Sequence, residues 1–129
     1  MDFHKSECWI LKDYKYPFKV EVKHWVSGDG KNQWNVYAYL FQAFPNFENL
    51  KECIGADIPV SMNWGNTYCK WDRDKNGEVT CKTYGSDYKH IHQERFEEYS
   101  TREDAFEVFE DAEYNWKELE ECITVQEMK

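Results

Sequence analysis

The chain has 129 residues, with 25 Asp and Glu against 16 Lys and Arg and a formal net charge of −9. That length predicts one domain, residues 1–129, and the charge excludes a basic protein built to coat nucleic acid. No stretch approaches the roughly 18 apolar residues of a helical membrane span.

Aromatic residues make up 18% of the chain, and there are only 3 Pro and 6 Gly. Large rings supply the buried area a small core needs, which argues for a folded domain rather than a disordered one. The first residues lack the basic-then-apolar pattern of a signal peptide, which predicts a cytoplasmic protein. Five cysteines (Cys8, Cys53, Cys69, Cys81 and Cys122) are odd in number, widely spaced and without a C-x-x-C pair. This predicts reduced, mostly buried thiols.

In chain order, residues 8–11 suggest a short strand or docking segment. Residues 17–26 alternate, with Phe18, Val20 and Val22 on one face and Lys19, Glu21 and Lys23 on a face expected to meet solvent. A turn composition follows over residues 27–32. Residues 33–42 are rich in aromatic and β-branched side chains, so the two runs predict a hairpin. Residues 45–53 predict one or two helical turns, and residues 58–62 a short strand. Residues 67–71 and 78–84 predict a second hairpin around Asn76 and Gly77, a pair that tolerates positive φ.

The last third predicts a long helix. Ser100 and Glu103 match a capping box. Ala105, Phe109, Ala112, Trp116, Leu119 and Ile123 recur in steps of four and three, forming one apolar stripe. The predicted fold class is α+β, an antiparallel sheet of four or five strands with the C-terminal helix packed on one face.

Charge is distributed unevenly. Residues 94–129 hold 13 acidic and four basic side chains, whereas residues 1–93 hold 12 of each. The helix region therefore carries the entire imbalance and predicts attraction to basic partners. Glu103, Glu107, Glu110, Asp111, Glu118 and Glu121 lie off the apolar stripe and are the candidate partner-binding residues.

Two clusters suggest other chemistry. Asp87, His90 and His92 lie close together. On a strand, His90 and His92 would share one face, as metal-ligating or acid–base pairs do. His24, Cys69 or Cys81 would complete a metal site, although a tight second hairpin would put the two cysteines on opposite faces. Asp72, Asp74 and Asn76 followed by Gly77 reproduce the first half of a calcium loop, but Thr83 stands where the loop needs a bidentate glutamate. A polar hairpin tip is the competing reading. No nucleophile elbow or phosphate-binding loop occurs, and no cofactor is expected.

The second half of the chain also resembles a group of small phage- and prophage-encoded proteins. Those carry a His-Gly-Gly-x-Thr-Tyr segment, then Gly-Phe-Asp-Cys-x-His and a C-terminal helix. Gly65, Thr67, Tyr68, Gly85, Asp87 and His90 match in identity and order. Asn63, Trp64 and Tyr88 replace the group's histidine, first glycine and cysteine. The resemblance implies a small accessory phage protein acting in the host cytoplasm, a class that often blocks host enzymes or immunity.

Together these features lead to the expectation of a non-enzymatic inhibitor of a basic host protein, such as a CRISPR effector or another nucleic-acid-binding defence protein. The alternative is a small metal-dependent or acid–base enzyme centred on Asp87, His90 and His92. A third expectation is a homo-oligomer with Trp9, Trp25 and Trp34 at its interface. Direct nucleic-acid or membrane binding is not expected.

Overall fold

The computed structural model describes residues 2–10, 15–51, 59–63, 65 and 67–129, with Cys8 the one side chain described in the first strand. Five strands form a single antiparallel sheet: β1 (Asp2–Ile10), β2 (Phe18–Val26), β3 (Asn32–Phe41), β4 (Tyr68–Arg73) and β5 (Val79–Asp87). Their order is β1-β2-β3-β5-β4. Among the described residues one α-helix, α1 (Phe106–Glu127), lies across β2 and β3 on one face. This is the expected α+β arrangement.

The β2–β3 register fixes the core. Phe18, Val20, Val22 and His24 stand opposite Leu40, Ala38, Val36 and Trp34. Strand alternation sends all eight to the helix side, where they are almost fully buried. The stripe on α1 meets them: Trp116 packs on Phe18 with ring centroids 4.6 Å apart, and Phe109 meets Trp34 edge-on at 5.9 Å. The stripe is wider than its expected six members, because Val108 and Asn115 are buried beside them.

Several local expectations differ from the structure. The segment around Val60 and Met62 buries both side chains but forms no strand. Its polar groups are satisfied by the helix instead: Glu118 accepts from the Ser61 N–H at 2.8 Å and the Ser61 hydroxyl at 2.7 Å, and Asn115 donates to the Ser61 carbonyl at 2.8 Å. Residue 58, where that strand was expected to begin, lies outside the described residues.

The first strand is longer than its expected residues 8–11. The expected helical turns are a 3-10 turn, Phe47–Asn49, and a second one, Glu94–Glu98, has no counterpart in the sequence reading. Trp34 is a core residue rather than an interface residue, and its indole N–H donates to the Tyr99 carbonyl at 3.0 Å. Trp25 is partly exposed. The side chain of Trp9 and residue Cys53 lie outside the described residues. Cys8 is exposed, Cys81 is buried, and Cys69 and Cys122 are intermediate.

The face of the sheet opposite α1 was expected to meet solvent, yet Glu21 on it is only 6% exposed. Tyr39 donates its hydroxyl to Glu21 at 2.7 Å and the Cys8 thiol donates at 3.1 Å. Lys19 and Lys23 each place Nζ 3.5 Å from the carboxylate and lie over the rings of Tyr39 and Tyr37. Burial and then the neighbouring Glu21 push the Tyr39 phenol up. The two lysines thus form part of a cover over a buried acid, because a carboxylate out of water needs several donors.

Gly85 is paired with Tyr37 on one side and Tyr68 on the other. Those rings meet edge to face over it at 5.4 Å. A Cβ at residue 85 would stand 2.4 Å from the Tyr37 ring. Gly85→Ala is expected to lose about 1–3 kcal/mol through overpacking. In urea melts, combining it with Tyr37→Ala should cost less than the two single changes added together. Strict additivity would mean that the glycine is not there to seat the ring.

Candidate functional site: the outer face of the C-terminal helix

The acidic face begins in a turn, not in the helix. The helix proper starts at Phe106, and no side chain caps Ala105. The expected capping box of Ser100 and Glu103 is replaced by Thr101, whose hydroxyl accepts from the Asp104 N–H at 3.1 Å. Its carbonyl accepts from the Ala105 N–H at 3.1 Å. Threonine supplies the same N-terminal acceptor one residue later, which leaves Glu103 exposed to solvent.

The six candidate carboxylates divide into two groups. Three are engaged within the chain. Glu107 takes a two-pronged hydrogen bond from Arg95 Nη2, at 3.2 and 3.0 Å. Asp111 accepts the Tyr88 hydroxyl. Glu118 holds Ser61 and also accepts from Asn115 Nδ2 at 3.0 Å. Sequence alone placed these three on the outer face because the helical spacing carries no record of partners 12, 23 and 57 residues away.

The other three, Glu103, Glu110 and Glu121, are exposed. Glu113 and Glu120, absent from the candidate set, are exposed beside them. Among the described residues, none of these five carboxylates has an ion-pair or hydrogen-bond partner. Two aromatic rings share this surface, Phe106 at 53% and Tyr114 at 57% exposed. Lys117 and Arg102 are cations among them. Projecting the sequence on a 100° wheel would have found Glu113, Phe106 and Tyr114, which sit three to four residues from Glu110.

Asp87, His90 and His92 are not arranged as expected. β5 ends at Asp87, so both histidines lie in the following turn, and His92 adopts a positive φ of 64°. The two rings therefore do not share a strand face. His90 Nε2 sits 3.3 Å from Asp87 Oδ1, while His92 is exposed. Asn63 and Gln93 fix this turn through reciprocal amide hydrogen bonds of 3.0 Å each. Asn63 also donates to the Asp87 carbonyl at 2.9 Å, and Gln93 accepts from the His90 N–H at 3.2 Å. Asn63, Asp87 and His90 are thus brought together.

The proposed third metal ligands are elsewhere. His24 is buried, stacked on Trp34 at 4.1 Å and paired with Asn32 at 2.8 Å. Cys69 and Cys81 pair with Tyr84 and Asp72 respectively, which places them on opposite faces of the hairpin. Among the described residues, no group of three or more His, Cys, Asp or Glu side chains has the spacing of a metal site.

Asp72, Asp74 and Asn76 belong to a β-hairpin flanked by strands rather than helices. Asp72 lies on β4, 3.5 Å from Lys70. Asp74 Oδ1 accepts from the N–H groups of Asn76 and Glu78 at 2.8 and 3.0 Å, and Gly77 takes the positive φ of 81°. Asp74 therefore serves the turn itself, as Asp does at such positions.

Burial pushes the Asp111 carboxyl above its ordinary value near 3.8. The Tyr88 hydrogen bond opposes this, and Glu107 and Glu110 add to it. Folding therefore takes up a proton at Asp111 in the window just above that value, so its contribution to stability falls as pH rises through the window. Asp111→Asn should gain stability relative to the parent as pH climbs from about 4 to about 7. Tyr88→Phe, which removes the donor favouring the charged form, should lose it. Urea midpoints across that range test both, and parallel profiles for parent and Asp111→Asn would refute the assignment.

No protein-family model, curated protein or solved structure matches the chain.

Proposed function

We propose that this protein is a non-catalytic binding protein that sets the outer face of α1 against a basic surface of another protein. The observation that supports this reading is the set of five outward carboxylates, Glu103, Glu110, Glu113, Glu120 and Glu121, without partners among the described residues and interleaved with exposed Phe106 and Tyr114. Glu110 to Glu121 extends for about 16 Å along a rigid helix. Such a row imitates the charge of a nucleic-acid backbone, raises the association rate with basic surfaces and selects against acidic ones. Two copies of this face would repel each other, since Lys117 and Arg102 stand against five acids.

The resemblance to small phage-encoded proteins makes the proposal more specific. The partner would be a host protein with a nucleic-acid groove, for instance a defence effector, which the helix would occupy as an inhibitor in the host cytoplasm. A second reading, an acid–base centre, draws support from the 3.3 Å contact between His90 and Asp87 in a turn clamped by Asn63 and Gln93.

One experiment separates the two readings. Nuclease-treated host lysate is passed over the immobilised protein and over two variants. Replacing Glu103, Glu110, Glu113 and Glu121 by Lys should abolish retention of a stoichiometric basic protein, and high salt should do the same. His90→Ala should leave retention unchanged. Binding that survives charge reversal but fails with His90→Ala would move the function to the Asp87 turn.

A further inference from the structure

At the start of α1, Phe106 and Phe109 wall a surface groove of roughly 330 Å³, edged by Glu103, Glu110 and Glu113 and by Arg102. Three carboxylates against one cation give it a negative balance, and Phe106 presents an open ring beside them. The same ingredients recur twice around this end of the helix with a guanidinium already in place. Arg95 lies 4.5 Å over the Phe96 ring while its Nη2 bonds both oxygens of Glu107. Arg102 lies 4.4 Å over Phe109. In each case a flat cation covers a ring next to a carboxylate. Phe106 with Glu103, Glu110 and Glu113 repeats that composition, and among the described residues no guanidinium lies over its ring.

We propose that this groove receives an arginine side chain of the partner and discriminates against lysine. The proposal rests on the binding function above and names the chemistry of one contact within it. A guanidinium is planar and weakly hydrated, so it stacks on a phenyl ring and keeps its N–H groups in plane for neighbouring carboxylates. A lysine ammonium is a hydrated point charge. It gains from the three acids and can cover a ring beside a carboxylate, as Lys19 and Lys23 do over Tyr39 and Tyr37 next to Glu21, but it cannot fork to a carboxylate in the plane of the ring. The groove has room for one long side chain, at the lower limit of ordinary ligand pockets. The partner's basic surface should therefore present arginine at this point, with lysines tolerated further along the helix at Glu120 and Glu121.

Two synthetic peptides of equal length and charge, nona-arginine and nona-lysine, provide the probes. Titrated calorimetrically into the full chain at physiological ionic strength, nona-arginine should bind about tenfold more tightly. Amide resonances of Phe106 and Glu110 should shift with it. Phe106→Ala, at an exposed position where the fold loses little, should bring the ratio close to one by weakening mainly the arginine peptide. Glu110→Gln should weaken both. Equal affinities in the parent, or a preference that survives Phe106→Ala, would overturn the arginine groove while leaving the acidic binding face intact. Failure of both peptides to bind would overturn the groove and the acidic binding face together.

Discussion

The register between β2 and β3 is the constraint on which the rest of the structure depends. It places Phe18, Val20, Val22 and His24 against Leu40, Ala38, Val36 and Trp34 on one face. A slip of one residue would turn that set outward and bring Lys19, Glu21 and Lys23 under the helix. The helix could not then dock, since Leu119, Ala112 and Val108 need an apolar floor. The turn end of the hairpin reinforces the register. Asn32 donates to the Glu97 carbonyl at 3.0 Å and Trp34 to that of Tyr99, which locks the start of β3 to the segment leading into α1.

With the helix seated, its carboxylates take up two kinds of work. Those flanking the apolar stripe reach inward and hold neighbouring segments. Glu118 gathers the Ser61 loop, Asp111 meets Tyr88 behind β5, and Glu107 meets Arg95. Those further round remain in water. A chain with such an excess of acid avoids self-repulsion in its interior by giving each inward carboxylate donors of its own. The outward ones then set how the surface meets other molecules.

Features that rest on periodicity were legible in the sequence. The alternation from Phe18 to Val22 and the four-and-three steps from Ala105 to Ile123 each encode an element through its own repeat, the Asn76–Gly77 pair encodes its turn through tolerance of positive φ, and each element is present. Features that rest on distant pairing were not. Nothing near Ser61 indicates that its backbone will be satisfied by Glu118 instead of a neighbouring strand. Lys82 gives no local sign that it will be 2% exposed, donating to the carbonyls of Phe47 and Leu50 at 2.6 and 3.0 Å beneath Trp71. It closes the end of a 3-10 turn, adding a second donor to the Phe47 carbonyl, which already accepts from the Leu50 N–H at 3.2 Å, and supplying one to the Leu50 carbonyl. The candidate site was half legible for the same reason: spacing identifies which residues lie off the stripe, and only the fold reveals which of them are already engaged.

The acid buried beneath lysines on the side of the sheet opposite α1 has a consequence for how this protein behaves in a crowd. The open face of a sheet is a surface that another sheet could stack upon. Here a stacking partner would have to push Lys19 and Lys23 away from Glu21, leaving a carboxylate sealed from water with fewer cations, at a cost of several kcal/mol. The surface is thereby guarded against dry sheet-on-sheet contact, even though Tyr37, Tyr39 and Tyr68 give it the aromatic content that usually invites it.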